Sequence, residues 1–135
     1  MKIKNFYKFA FIVLAFAGIS FVAAASVTIP DDNKEVTVDK TVHDFGTINS
    51  TDGAKSATFV ITNKTDAPIL ITSARASCGC TAPDWTKTPI EPGKTGTVTA
   101  KFDPKNQSGP FEKTITIYTN STPDPITVRI TGVVQ

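Results

Sequence analysis

Cys78-Gly79-Cys80 is the segment of this 135-residue chain whose residue types and spacing could do chemistry. Two thiols one residue apart can close into a disulfide, exchange between dithiol and disulfide, or present paired thiolates to a soft ion such as Cu(I). As a staple the pair is weak, because the chain-entropy relation gives about 1.6 kcal/mol for a three-residue loop, roughly half the value for fifteen residues. Bridging it needs Cα atoms within about 4.4–6.8 Å, which a straight strand barely allows and a bend at Gly79 allows easily. A bent bridge is expected to be reducible, which suits a labile or regulatory role; the plain alternative is a small structural turn at a strand end. A closed zinc site is not expected, since it wants four ligands and the sequence offers these two thiols and a single histidine, His43. No cofactor is expected, and the one metal reading kept is Cu(I) on Cys78 and Cys80.

Other reactive side chains are weighed against their place in the chain. Arg75, three residues before Cys78, would lower its thiol pKa only if the strand bends there. Arg75, Thr81 and Trp85 flank the pair and form a candidate partner-binding loop. Trp85 is expected to cover the end of the core or to pack on the sulfurs, the alternative being an exposed interface anchor. His43 and Asp44 are adjacent, but neighbours in a strand point to opposite faces, so no His-Asp relay is expected. No G-x-S-x-G elbow or papain-like signature supplies a nucleophile, and catalysis is not expected. Four N-x-[ST] matches, at Asn49, Asn63, Asn106 and Asn120, come cheaply in a chain rich in Thr and Asn.

The elements that must position these residues are short strands separated by turn clusters every 8 to 12 residues or so, the pattern of an all-β sandwich. Ala57, Phe59 and Ile61 share one face of Lys55 to Asn63, and Gly96, Val98, Ala100 and Phe102 share one face of the next clean run. Val36 and Val38, then Phe111, Ile115 and Ile117, then Ile126, Val128, Ile130 and Val134 repeat the alternation. Ile69-Leu70-Ile71 is apolar on both faces and reads as a central strand. Asp52-Gly53 and Glu91-Pro92-Gly93-Lys94 are turns that call for a glycine at positive φ. About seven antiparallel strands in an immunoglobulin-like β-sandwich over residues 35–135 is the expected architecture.

Residues 1–25 carry Lys2, Lys4 and Lys8, an apolar run from Phe9 to Val22, and Ala23-Ala24-Ala25, the three parts of a secretory signal peptide. The run falls short of the roughly 20 residues that span a bilayer, so cleavage after Ala25 and no stable membrane insertion are expected. Residues 26–34 read as a polar lead. Without residues 1–25 there remain 11 basic against 12 acidic side chains, so the formal charge of +2 becomes −1. Scattered near-neutral charge gives no footprint for nucleic acid. The expected location is outside the cytoplasm, periplasmic or extracellular, where a disulfide persists.

The landmarks His43-Asp44-Phe45-Gly46, Phe59-Val60-Ile61-Thr62-Asn63, Cys78-Gly79-Cys80-Thr81 and Ile90-Glu91-Pro92-Gly93, followed by Phe102-Asp103-Pro104, resemble the bacterial domain of unknown function 1573 family. The resemblance covers about residues 36 to 134. It implies a fold similar to Hydin-type and major-sperm-protein-like immunoglobulin-like domains, which mostly serve as binding or scaffolding modules. The expected function is thus an exported, non-catalytic module binding another protein or an envelope component, through a sheet edge or the Cys78 to Trp85 loop. The alternative is a thiol-active protein using the cysteine pair.

Overall fold

The computed structural model describes residues 35–135, and among them finds eight strands and no helix. The expected signal peptide, residues 1–25, and the expected polar lead, residues 26–34, lie outside the described residues. The centre is the pair β3 (Lys55–Asn63) and β6 (Thr95–Phe102), antiparallel along their lengths, with Ala57 opposite Ala100 and Phe59 opposite Val98. Those four side chains are buried, as the alternation requires. On the outer side of the same pair, Thr58 and Thr99 meet hydroxyl to hydroxyl at 3.2 Å. Beyond them lie β1 (Val36–Val38) and β5 (Thr81–Trp85), giving the order β1-β3-β6-β5. The second sheet runs β2 (Val42–Ile48), β8 (Ile126–Val134), β7 (Gly109–Thr119), β4 (Ile71–Ala76). Its inward Ile115, Ile117, Val128 and Ile130 close the core against Phe59, Ile61, Val98 and Phe102.

The strand count differs from seven, and one pairing is not antiparallel. β1 pairs antiparallel with β3, and β2 then pairs parallel with β8 in the other sheet. Asp39 makes the switch. Its N–H donates to Val60 O at 3.0 Å, and its Oδ1 accepts the Val60 N–H at 2.8 Å, so a side chain takes the next ladder bond and β1 stops. Counted as one strand that changes sheets, β1 and β2 restore seven, in the four-plus-three arrangement of constant-type immunoglobulin sandwiches.

Ile69 to Ile71 is not a central strand. β4 begins at Ile71 and lies at a sheet edge, while Ile69 makes an isolated bridge with Ile90, N to O at 3.0 and 2.7 Å. The segment is apolar because Ile69, Ile71 and Ile90 are buried together in the core, not because strands flank it on both sides. The Glu91–Lys94 turn forms as its residues dictate, with Lys94 N–H on Glu91 O at 2.9 Å and Gly93 at φ 76°.

Candidate functional site

The cysteine pair sits where the chain leaves one sheet edge for the other. β4 is the outer strand of its sheet and β5 the outer strand of the opposite one, so Ser77 to Cys80 is the corner between them. Backbone bonds hold both sides of this corner. Ser77 N–H donates to Thr114 O at 2.9 Å and Thr114 N–H to Ser77 Oγ at 3.1 Å, while Asp103 N–H donates to Cys80 O at 2.9 Å. A turn bond from Thr81 N–H to Cys78 O, 3.3 Å, closes the bend. Within it Cys78 and Cys80 are bridged, with Cα atoms 5.4 Å apart.

Gly79 is not what permits the bend. Its φ lies outside the left-handed region, and a Cβ there would meet nothing within 4 Å, so the exposed tip tolerates a side chain. Thr81 is the buried anchor of the loop at 4% exposure, opposite Phe102 in β6, and Cys80 packs against the core. With the sulfurs joined to each other, Cu(I) binding requires the bridge to be reduced first, whereas exchange would begin with an external thiolate attacking one sulfur and the other leaving as thiolate. His43 does not join them, since among the described residues no group of three or more His, Cys, Asp or Glu comes together.

Because four backbone and side-chain bonds already shape this corner, exchanging both cysteines for serine should leave the fold intact. The expected loss is at most about 1.6 kcal/mol, read from the shift of a chemical unfolding curve. A loss of several kcal/mol would instead make the bridge the main support of the β4–β5 junction.

Trp85 lies at the far end of β5 from the cysteines, so it does not pack on the sulfurs. It packs against the core, as the other expectation had it, and its Nε1–H donates to Ile71 O at 3.1 Å, tying the end of β5 to the start of β4. Lys87 covers its ring with Nζ 3.1 Å from the centroid and reaches Asp84 at 3.3 Å. The edge strands β4 and β5 are thereby joined at both ends, by the cysteine corner and by the Trp85 bond. This side of the sandwich is closed.

Arg75 is not brought to Cys78. It stands on the outer side of β4 opposite Thr116, in a recess with Thr72, Ser73 and Tyr118. His43 and Asp44 point apart as expected. His43 lies edge-on to Phe45 at 4.7 Å on the inner side, and Phe45, Phe111 and Phe102 continue an aromatic row into the core, Phe111 stacking on Phe102 at 4.2 Å. Asp44 faces outward and accepts the Gly46 N–H at 2.8 Å, which fixes the bulge in β2. Near the cysteine corner, Asp52 closes the β2–β3 turn. The Asn49 N–H it accepts at 3.0 Å, more than Lys55 at 3.8 Å, holds its carboxyl below the ordinary 3.8.

The match to a family model runs over residues 36–134, from the first residue of β1 to the last of β8, and the model is that of DUF1573, a protein family of unknown function. The chain belongs to this family. No curated relative matches the chain. Among solved structures, this DUF1573 domain is similar to a protein of unknown function from Porphyromonas gingivalis W83, with TM-score 0.61 and 18% identity over 73% of this chain and 46% of that one. It is also similar to the VesB protease of Vibrio cholerae, with TM-score 0.59 and 16% identity over 75% of this chain and 32% of that one. SSP-19, an MSP-domain-like protein of Caenorhabditis elegans, is matched almost whole: TM-score 0.53, 12% identity, 72% of this chain and 98% of that one. The chain spans less than half of the first two proteins. At these identities the likeness is one of fold, and it is shared by enzymes and non-enzymes alike.

The residues that sequence reasoning passed over are Val42, Tyr118 and Val133, the large hydrophobic side chains that stand exposed among the described residues. Their signal was present. Tyr118 follows Thr114 and Thr116 on the wet phase of a strand whose dry phase is Ile115 and Ile117, and Val133 follows Thr131 in the same way.

Proposed function

We propose that the protein is an exported, non-catalytic binding module of the bacterial cell envelope, and that it holds an extended segment of another envelope protein along the free edge of β2. The observation that carries this reading is where apolar surface is left uncovered. Val42 and Val133 lie on the outer side of the β2-β8-β7-β4 sheet, one on β2 and the other on the adjoining β8, whereas the outward positions of β3 and β6 are polar apart from Val60, among them Ser56, Thr58, Thr95, Thr97 and Thr99. Val42 is on the edge strand itself. The Arg129 N–H donates to Thr41 O at 2.8 Å, so ahead of the bulge in this parallel ladder the odd-numbered backbone groups face β8, and those of Val42 and Asp44 face away. An unpaired strand edge beside exposed apolar side chains is the surface that strand addition uses. The lysine-bearing, apolar N-terminal segment supports export.

A photocrosslinking residue placed at position 42 in the exporting cell is expected to capture one protein partner, and one at position 58 on the other sheet is not. Val42→Pro removes an N–H that β8 does not use, so the domain should fold while crosslinking from position 133 is lost. Equal capture from positions 42 and 58, or none from either, would overturn the reading.

A further inference from the structure

The outer side of β4 holds a second feature that strand addition at β2 does not use. The register of β4 on β7 shifts between Ile71 and Ser73, an irregularity that inserts Thr72 and brings Thr72 and Ser73 to the same recess. Arg75, opposite Thr116, and Tyr118, opposite Ser73, complete it. The recess is open, about 390 Å³ in volume, and lined by these four side chains. Thr72 Oγ1 is already committed to Tyr118 O at 3.2 Å, which leaves the Ser73 and Tyr118 hydroxyls and the guanidinium facing it.

Arg75 is the exceptional group. The chain has two arginines. Arg129 pairs with Glu112 at 3.5 Å, while Arg75 makes no ion pair, hydrogen bond or ring contact among the described residues. A planar guanidinium offers donors in a fork that matches a carboxylate or a phosphate. Here it is a single positive charge among neutral hydroxyls, which balances a monoanion and leaves a phosphate monoester half compensated. Tyr118, 38% exposed, adds a flat apolar ring to the wall of the recess.

We propose that this recess binds the carboxylate of an acidic sugar, a uronic acid residue within an extended polysaccharide. The carboxylate takes Arg75, the sugar's C–H face lies on the Tyr118 ring, and its hydroxyls exchange hydrogen bonds with Ser73. An acidic side chain of a protein would engage Arg75 alone and leave the ring and the hydroxyls unused. The volume accommodates one pyranose ring, and the openness of the recess lets a chain enter and leave across the sheet face. The site stands on its own groups and is independent of what occupies β2.

Titrating the purified protein with trigalacturonate, its methyl ester and a glutamate-containing pentapeptide tests this, with backbone amide shifts as the readout. Trigalacturonate is expected to move the signals of Ser73, Arg75 and Tyr118. The methyl ester should bind at least about tenfold more weakly, and Arg75→Gln should weaken trigalacturonate by a similar factor. Arg75→Lys should retain part of the affinity, and Arg129→Gln on the same sheet face should retain all of it. Tyr118→Ala, which keeps the charge and removes the ring, should also weaken binding. The proposal fails if trigalacturonate moves no signal, if the methyl ester binds equally, or if the pentapeptide binds as tightly with the same dependence on Arg75.

Discussion

Phe102→Ala is expected to destabilise the domain by about 3–5 kcal/mol, a large share of the roughly 5–15 kcal/mol that holds a small domain folded. Phe102 is fully buried at the end of β6, stacked on Phe111 at 4.2 Å and opposite Thr81 at the start of β5. Removing the ring empties space beneath the cysteine corner, which the neighbouring strands cannot fill without breaking their ladders. Urea unfolding should show the midpoint fall with little change in slope, and Phe102→Leu, which keeps most of the volume, should cost far less. A cost below about 1 kcal/mol for the alanine variant would mean that the aromatic row does not support this end of the sandwich.

What the sequence revealed and what it hid divide along a physical line. Alternation along one strand is a local property, so the inner and outer faces of β3, β6 and β8 could be read residue by residue. Sheet membership is not local. Nothing in Val36 to Ile48 announces that Asp39 will accept a bond from Val60, yet that bond makes one strand into β1 and β2 and turns the second half parallel. Ile69 to Ile71 misled for a related reason: burial by a remote segment carrying Ile90 looks, in sequence, the same as burial between two strands. At the candidate site the spacing of Cys78 and Cys80 left bridge, exchange and Cu(I) readings open and said only that a bridge is easier with a bend; the chain bends there and the sulfurs are joined. That the bend would be the corner between two sheet edges, or that Arg75 would face a hydroxyl-lined recess on the opposite side of β4, depends on pairings with β6 and β7 that spacing does not encode.

Asn63 shows how a side chain that looked incidental can be among the most consequential. Asn63-Lys64-Thr65 matches a glycosylation pattern, but Asn63 is fully buried at the end of β3. Its Nδ2 donates to Ala67 O and to Ile90 O, both at 2.8 Å, and its Oδ1 accepts the Thr65 N–H at 2.8 Å and Thr65 Oγ1–H at 2.7 Å. One amide thereby satisfies the backbone of two separate loops and fixes the entry to Ile69 and Ile90. Asn63→Ala should cost about 2–4 kcal/mol, because the Thr65 N–H loses its acceptor while the Ile90 and Ala67 carbonyls each lose one of two donors and keep the Ile69 N–H and the Thr65 hydroxyl, at roughly 1–3 kcal/mol for a buried group left unpaired and less for a carbonyl that keeps one bond. Asn63→Asp separates hydrogen bonding from mere size. At neutral pH its carboxylate would face the carbonyls of Ala67 and Ile90 and be as destabilising as alanine or more so. Burial and those carbonyls raise the folded pKa of the introduced acid above its unfolded value, so protonation favours the folded state and part of the loss should be recovered as the pH falls. Unfolding curves for the aspartate variant and the parent at neutral and mildly acidic pH measure this, and a deficit that does not shrink on acidification would show that Asn63 acts by filling space rather than by donating to the two loops.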